Sequence, residues 1–71
     1  MSMAVTVWRL TRAGERALCI VSQRDGRWHL TVEQGKQVTL AERCASDDVA
    51  FERANEIWQV LLSNGWTEPR H

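Results

Sequence analysis

The chain is poor in cysteine, with Cys19 and Cys44 its only thiols, and in proline, with Pro69 alone. Two thiols cannot build a disulfide framework, and no cysteine or histidine spacing here suits zinc. Its glycines stand too far apart to form a loop that cradles phosphate. No apolar run approaches the ~20 residues that span a bilayer. A charged segment followed by an apolar stretch, the mark of a secretory signal, is also missing. These absences make a cytoplasmic protein with reduced thiols, no membrane association, no metal and no cofactor the expectation. The chain also lacks an excess of either charge, with nine basic and nine acidic residues. A dedicated nucleic-acid binder usually carries a strongly basic footprint.

What is present is tryptophan. Trp8, Trp28, Trp58 and Trp66 fall within 71 residues, and each buries roughly 200 Å² when enclosed. That volume matters in a chain this short, which hides only about 60% of the surface its unfolded form exposes. Charge is unevenly placed. Residues 1–45 carry seven basic and four acidic side chains, and residues 46–71 carry two basic and five acidic. With no linker and no low-complexity segment, residues 1–71 form one domain.

Gly14, Gly26 and Gly35 punctuate the first half. Each ends a tripeptide (Arg12-Ala13-Gly14, Arg24-Asp25-Gly26, Glu33-Gln34-Gly35) suited to a three-residue hairpin loop with glycine at positive φ. Strands then run over about 4–11, 16–23, 27–33 and 36–43. Such loops pair residues of equal parity. One even-numbered face therefore collects Trp8, Leu10, Leu18, Ile20, Trp28, Leu30, Val32, Val38 and Leu40. A two-residue type I′ turn at Asp25-Gly26 is the rival. It puts Cys19 and Val21 on the Trp28 side and turns Leu18 and Ile20 outward. The larger side chains favour the first arrangement.

Beyond Cys44 the period changes. Ala50, Phe51, Ala54, Ile57, Trp58, Leu61 and Leu62 share one arc at helical spacing. Ser46 suits an N-cap, and Asp47 and Asp48 suit the first turn. Gly65 and Trp66 fit a Schellman ending, with Trp66 packing back on Leu61. A helix over about 47–64 follows, and Pro69 stops its resumption. The fold class is α+β: a four-stranded antiparallel meander with one C-terminal helix on one face, ββββα. This topology resembles that of plant AP2-type DNA-binding domains and of the ββββα single-strand-binding coactivator domains. The resemblance lies in topology alone, and it implies nucleic-acid contact through the sheet.

In the equal-parity register the face away from the helix holds an apolar patch, Val5, Val7, Cys19 and Val21, with His29 beside Val21. A half-solvated sheet normally presents polar residues there, so the patch points to a partner, either a second copy or another protein. The first strand, with its uncharged run Ala4-Val5-Thr6-Val7-Trp8, is a candidate edge for pairing between chains unless the tail 66–71 covers it. The primary expectation is thus a non-enzymatic protein-interaction or self-association module using that face or edge. The alternative is a nucleic-acid-binding domain using Arg9, Arg27 and Arg43 on the same face, with Arg12, Arg16 and Arg24 near the loops. Catalytic groups do not converge. Cys19 and His29 are at best diagonal neighbours on an open face, and His71 ends the sequence. Cys44 reads as a small hydrophobe at the strand–helix junction. The tryptophans read as core rather than stacking platforms, and the ridge Asp48, Glu52, Glu56 as the solvated side of the helix.

Overall fold

The structure, a computed structural model, describes residues 2–69; His71 lies outside the described residues. Four strands, β1 (Met3–Arg12), β2 (Glu15–Arg24), β3 (Arg27–Gln34) and β4 (Gln37–Cys44), form one antiparallel sheet in sequential order. The helix α1 (Asp47–Ser63) follows and packs on one face. The α+β arrangement ββββα is therefore the one the hydrophobic pattern predicts.

The turns differ from expectation, and the difference moves side chains. Arg12 pairs with Glu15, and Arg24 with Arg27, so each loop has two residues rather than three. Ala13 and Gly14 have φ of 51° and 82°, and Asp25 and Gly26 have 53° and 75°. Positive φ at both central positions is the requirement of a type I′ turn, whose twist matches that of the strands it joins. An alanine at such a φ is strained, so the first hairpin tolerates a residue its turn does not favour.

Two-residue turns reverse the parity of β2 relative to its neighbours. Ala17, Cys19 and Val21 face the helix, where Cys19 and Val21 are 0% exposed. Leu18 and Ile20 point to the opposite face. The rival register at Asp25-Gly26 is the one adopted. The preference for burying larger side chains fails for a physical reason. Trp8, Trp28, Leu40 and Ile57 already surround the centre of this core. Ala50 and Ala54, both 0% exposed, lie directly over Cys19, Val21, Leu30 and Val32. Small residues on both layers let the helix approach the sheet closely, and a close-packed interior has no room for more volume.

Each edge strand carries one irregularity. In β1 the register shifts between Thr6 and Trp8, leaving Val7 as a bulge. Val7 and Trp8 both pack against the core, and below them the alternation reverses, so that Val5 opposes Val21 on the helix side. In β4 the shift falls between the partners of Val32 and Glu33, making Thr39 the extra residue. Val38 is consequently 59% exposed instead of joining the core face.

The helix behaves as its sequence dictates. The Ser46 side chain accepts a bond from the Val49 backbone N–H at 3.3 Å, a cap contributing about 1 kcal/mol. At the far end Trp66 N–H donates to Leu61 O (3.1 Å) and Gly65 N–H to Leu62 O (3.2 Å), the two bonds of a Schellman motif. Trp66, 2% exposed, closes a second cluster with Leu10, Ala17 and Leu61. The Arg12 guanidinium lies 4.8 Å above the Trp66 ring and donates to Asn64 O. Near mid-helix Trp8 Nε1–H donates to Ala54 O at 2.8 Å, tying β1 to α1. Phe51, at the margin of the apolar arc, is 41% exposed rather than enclosed.

This register predicts opposite fates for adjacent substitutions. Val21→Lys places a charge at a fully enclosed position and is expected to abolish cooperative thermal unfolding. Ile20→Lys, one residue away on the open face, is expected to shift Tm by less than about 5 °C. Circular dichroism melts of the two variants check this, and the reverse ranking would restore the three-residue-loop register.

Candidate functional site

Residues on the sheet face opposite the helix form three cross-strand rows. Ala4, Ser22, His29 and Arg43 make one. Thr6, Ile20, Thr31 and Ala41 make the next, and Arg9, Leu18, Glu33 and Val38 the third. Among the described residues no element covers them. Strict alternation along β2 brings Arg16 and Arg24 to this face as well, and along β3 it brings Arg27. Leu18 and Ile20, half-buried among their neighbours, form an apolar centre. Arg9, Arg16, Arg24, Arg27 and Arg43 are all exposed around it. Among the described residues none of these five arginines is in an ion pair. Glu33 is the carboxylate that stands among them.

At the end of this face nearest the β2–β3 turn, Ala4, Ser22, Arg24, His29, Thr31 and Arg43 line an open depression. His29 sits directly between Ser22 and Arg43 in the pairing.

The opposite layer carries the opposite charge. Asp48, Glu52 and Glu56 lie on the exposed side of α1. The helix's single arginine, Arg53, is turned toward the sheet edge. Its guanidinium meets Glu42 of β4 at 3.1 Å through both Nε and Nη2, and it reaches Glu56 at 3.3 Å. The hydrogen bond from Arg53 holds the Glu42 carboxyl below its ordinary pKa. A chain of zero formal net charge is therefore polarised, basic on the sheet and acidic on the helix.

The apolar patch expected on this face does not exist. Cys19 and Val21 are in the core, Val7 packs against that core, and Val5 lies on the helix side. Of the five residues assigned to the patch, only His29 is on the outer face. The cause is the inverted parity of β2 together with the bulge at Val7. The three arginines of the alternative reading, Arg9, Arg27 and Arg43, do share the outer face. Leu18, Ile20, Arg16 and Arg24 belong with them and were placed elsewhere by the three-residue-loop register. The signal for them was the spacing Arg16-x-Leu18-x-Ile20-x-Ser22-x-Arg24 leading into Asp25-Gly26.

Cys19 and His29 lie on opposite sides of the sheet and cannot act together. Burial, with a smaller contribution from Cys44, pushes the Cys19 thiol up to about 11, the reverse of what a nucleophile needs. Among the described residues no cluster of three or more His, Cys, Asp or Glu side chains could hold a metal ion. No helix among them is long and apolar enough to cross a membrane. All four tryptophans lie on the helix side or at its C-terminal cap, so the outer face offers no indole for base stacking. Compared with known protein families, curated proteins and solved structures, the chain matches none.

The buried thiol gives a chemical readout of this arrangement. At pH 8 a small disulfide reagent is expected to modify Cys44, which is partly buried and whose thiol burial pushes up, more slowly than a free thiol, and to leave Cys19 unreacted until the protein unfolds. A thiol whose pKa is raised by folding stabilises the native state below its unfolded value and ceases to do so above its folded value. Cys19 should therefore lower stability as pH rises from about 9 to about 11. Cys19→Ala should remove that component of the pH dependence in urea titrations.

Proposed function

We propose that the protein is a non-enzymatic docking module that seats an acidic protein surface on the outer face of its sheet. The observation that carries the reading is an uncovered face with Leu18 and Ile20 at its centre and five exposed, unpaired arginines around them. Protein interfaces are built in this way, with an apolar middle that excludes water and a polar border in which arginine is favoured. A partner with apolar residues ringed by carboxylates complements both parts. Arginine's planar fork suits bidentate pairing with those carboxylates. The acidic helix layer behind the sheet orients the molecule as such a partner approaches.

A second reading is nucleic-acid binding, which the same five arginines favour because phosphate accepts the same fork. Glu33 among the arginines and the absence of a tryptophan from this face weigh toward the protein partner.

Titrations of two probes separate the readings. One is an acidic amphipathic peptide alternating glutamate with leucine, and the other a single-stranded or duplex oligonucleotide, each at low and moderate salt. The peptide is expected to bind, to weaken about tenfold or more in the double variant Arg27→Glu with Arg43→Glu, and to weaken also in Ile20→Lys. Oligonucleotide binding that falls steeply with salt and ignores Ile20→Lys would install the second reading. Binding of neither probe would remove both.

A further inference from the structure

The five exposed arginines of the outer face fall into two groups. Arg9 and Arg16 stand toward the β1–β2 turn, and Arg24, Arg27 and Arg43 toward the β2–β3 turn. Arg16 and Arg24 are separated by about 27 Å of strand. Between the groups runs the row of Thr6, Ile20, Thr31 and Ala41, which carries no charge.

The groups also differ in their company. Glu33 shares the row of Arg9. The second group instead has Ser22 and His29 in the row of Arg43, and Thr31 one step along β3. Neighbours in a row stand about 5 Å apart, and residues two apart on one strand about 7 Å. His29 therefore has Ser22 on one side and Arg43 on the other, with Arg24 and Arg27 one row nearer the turn. Arginine side chains are long enough to bring all three guanidiniums over the imidazole. Ser22 and His29 are half-buried, and they line the same depression as Arg24 and Arg43. Among the described residues no hydrogen bond engages the side chain of Ser22, His29, Arg24, Arg27 or Arg43.

Carboxylates are scarce at this end. Glu42 is on the helix side, held by Arg53. Glu33 lies about 13 Å along β3 from His29. Asp25, in the turn between Arg24 and Arg27, is the carboxylate next to the group. Three guanidiniums against Asp25 leave a formal excess of two positive charges.

We propose that this cluster is a site for a phosphate monoester, carried as a phosphoserine by the partner that the sheet seats. The inference rests on the docking function proposed above and names the group recognised at one end of it. A phosphoserine brings nearly two negative charges and three strong acceptor oxygens. The charge matches the local excess. The oxygens give the Ser22 hydroxyl, an imidazole N–H of His29 and the forks of Arg24 and Arg43 separate acceptors. A carboxylate offers two oxygens to the same donors and leaves a positive charge unbalanced. A polynucleotide suits the face less well, because each diester carries a single charge and the uncharged Ile20 row breaks the basic track. A free phosphorylated metabolite finds an open depression that encloses nothing beyond the phosphate. A peptide does better. Ile20 lies one row from Ser22, about 7 Å away, where it meets an apolar side chain close in sequence to the phosphoserine.

Three ligands test this: the acidic peptide alternating glutamate with leucine, the same peptide with one central glutamate replaced by phosphoserine, and inorganic phosphate. In calorimetry the phosphoserine peptide is expected to bind about tenfold or more tightly than its glutamate parent. Ser22→Ala combined with His29→Ala should cut that gain below about threefold, with the parent's affinity and the melting curve unchanged. Arg9→Gln combined with Arg16→Gln, at the other end, should preserve the gain. Inorganic phosphate should shift the amide resonances of Ser22, His29 and Arg43 saturably and leave those of Arg9 and Arg16 in place. Equal affinity of the two peptides, a gain that survives loss of Ser22 and His29, or phosphate shifts equal at both ends would overturn the proposal and leave the docking function standing. Binding of neither peptide would overturn both. Saturable phosphate shifts without a gain in the peptide would make a free anion the ligand. Displacement of the phosphoserine peptide by an oligonucleotide of equal affinity would assign the site to a diester, and either result would overturn the phosphoserine.

Discussion

The left-handed backbone at Asp25-Gly26 governs more of this molecule than any side-chain contact. With both central residues at positive φ, the turn admits two residues and no more. That count decides which half of β2 faces the helix. Had the loop held three, Leu18 and Ile20 would be inside and Cys19 and Val21 outside. The core would then be larger than the helix could cover, and the outer face would lose its apolar centre. The composition of the candidate surface is thus a consequence of turn geometry.

The helix imposes the second constraint. It sits close to the sheet because Ala50 and Ala54 meet Cys19 and Val21 with little side chain on either side. Bulk is supplied around that contact, by Trp8 and Trp28 near it and by Trp66 at the C-terminal cap. The bond from Trp8 Nε1 to Ala54 O satisfies a donor that burial would otherwise penalise. It also fixes the helix against β1. The crossing angle that results leaves the Met3 corner open while closing the Leu10 corner, so the exposed residues of the β1 edge follow from how α1 is seated.

Element identity was legible in the sequence to the residue or nearly so. The strand boundaries, Ser46 as N-cap and the Gly65-Trp66 ending all follow from local chemistry that operates within a few residues. The inside and outside of β2 were not. Parity in a hairpin depends on loop length, and Arg24-Asp25-Gly26 fits two loop lengths equally well at the level of residue preference. Side-chain size favours the three-residue loop, a rule that holds when volume is scarce and fails when four tryptophans supply it. The two bulges were also hidden. Val7 and Thr39 are ordinary strand residues, and nothing in their local chemistry marks a bulge. For the same reasons the sequence pattern puts Arg9, Arg27 and Arg43 on the outer face but not Arg16 and Arg24.

The separation of charge between layers has a consequence for how the protein behaves as a solute. Formal net charge is zero, which ordinarily implies weak retention on any ion exchanger near the isoelectric pH of about 6.7. A molecule with arginines on one broad face and carboxylates on the other is a large dipole. It can present the sheet to an anionic resin and the helix to a cationic one. Retention on both kinds of column at a pH where the net charge vanishes is the behaviour that follows. For this chain, the moment of the charge distribution describes its encounters better than the sum does.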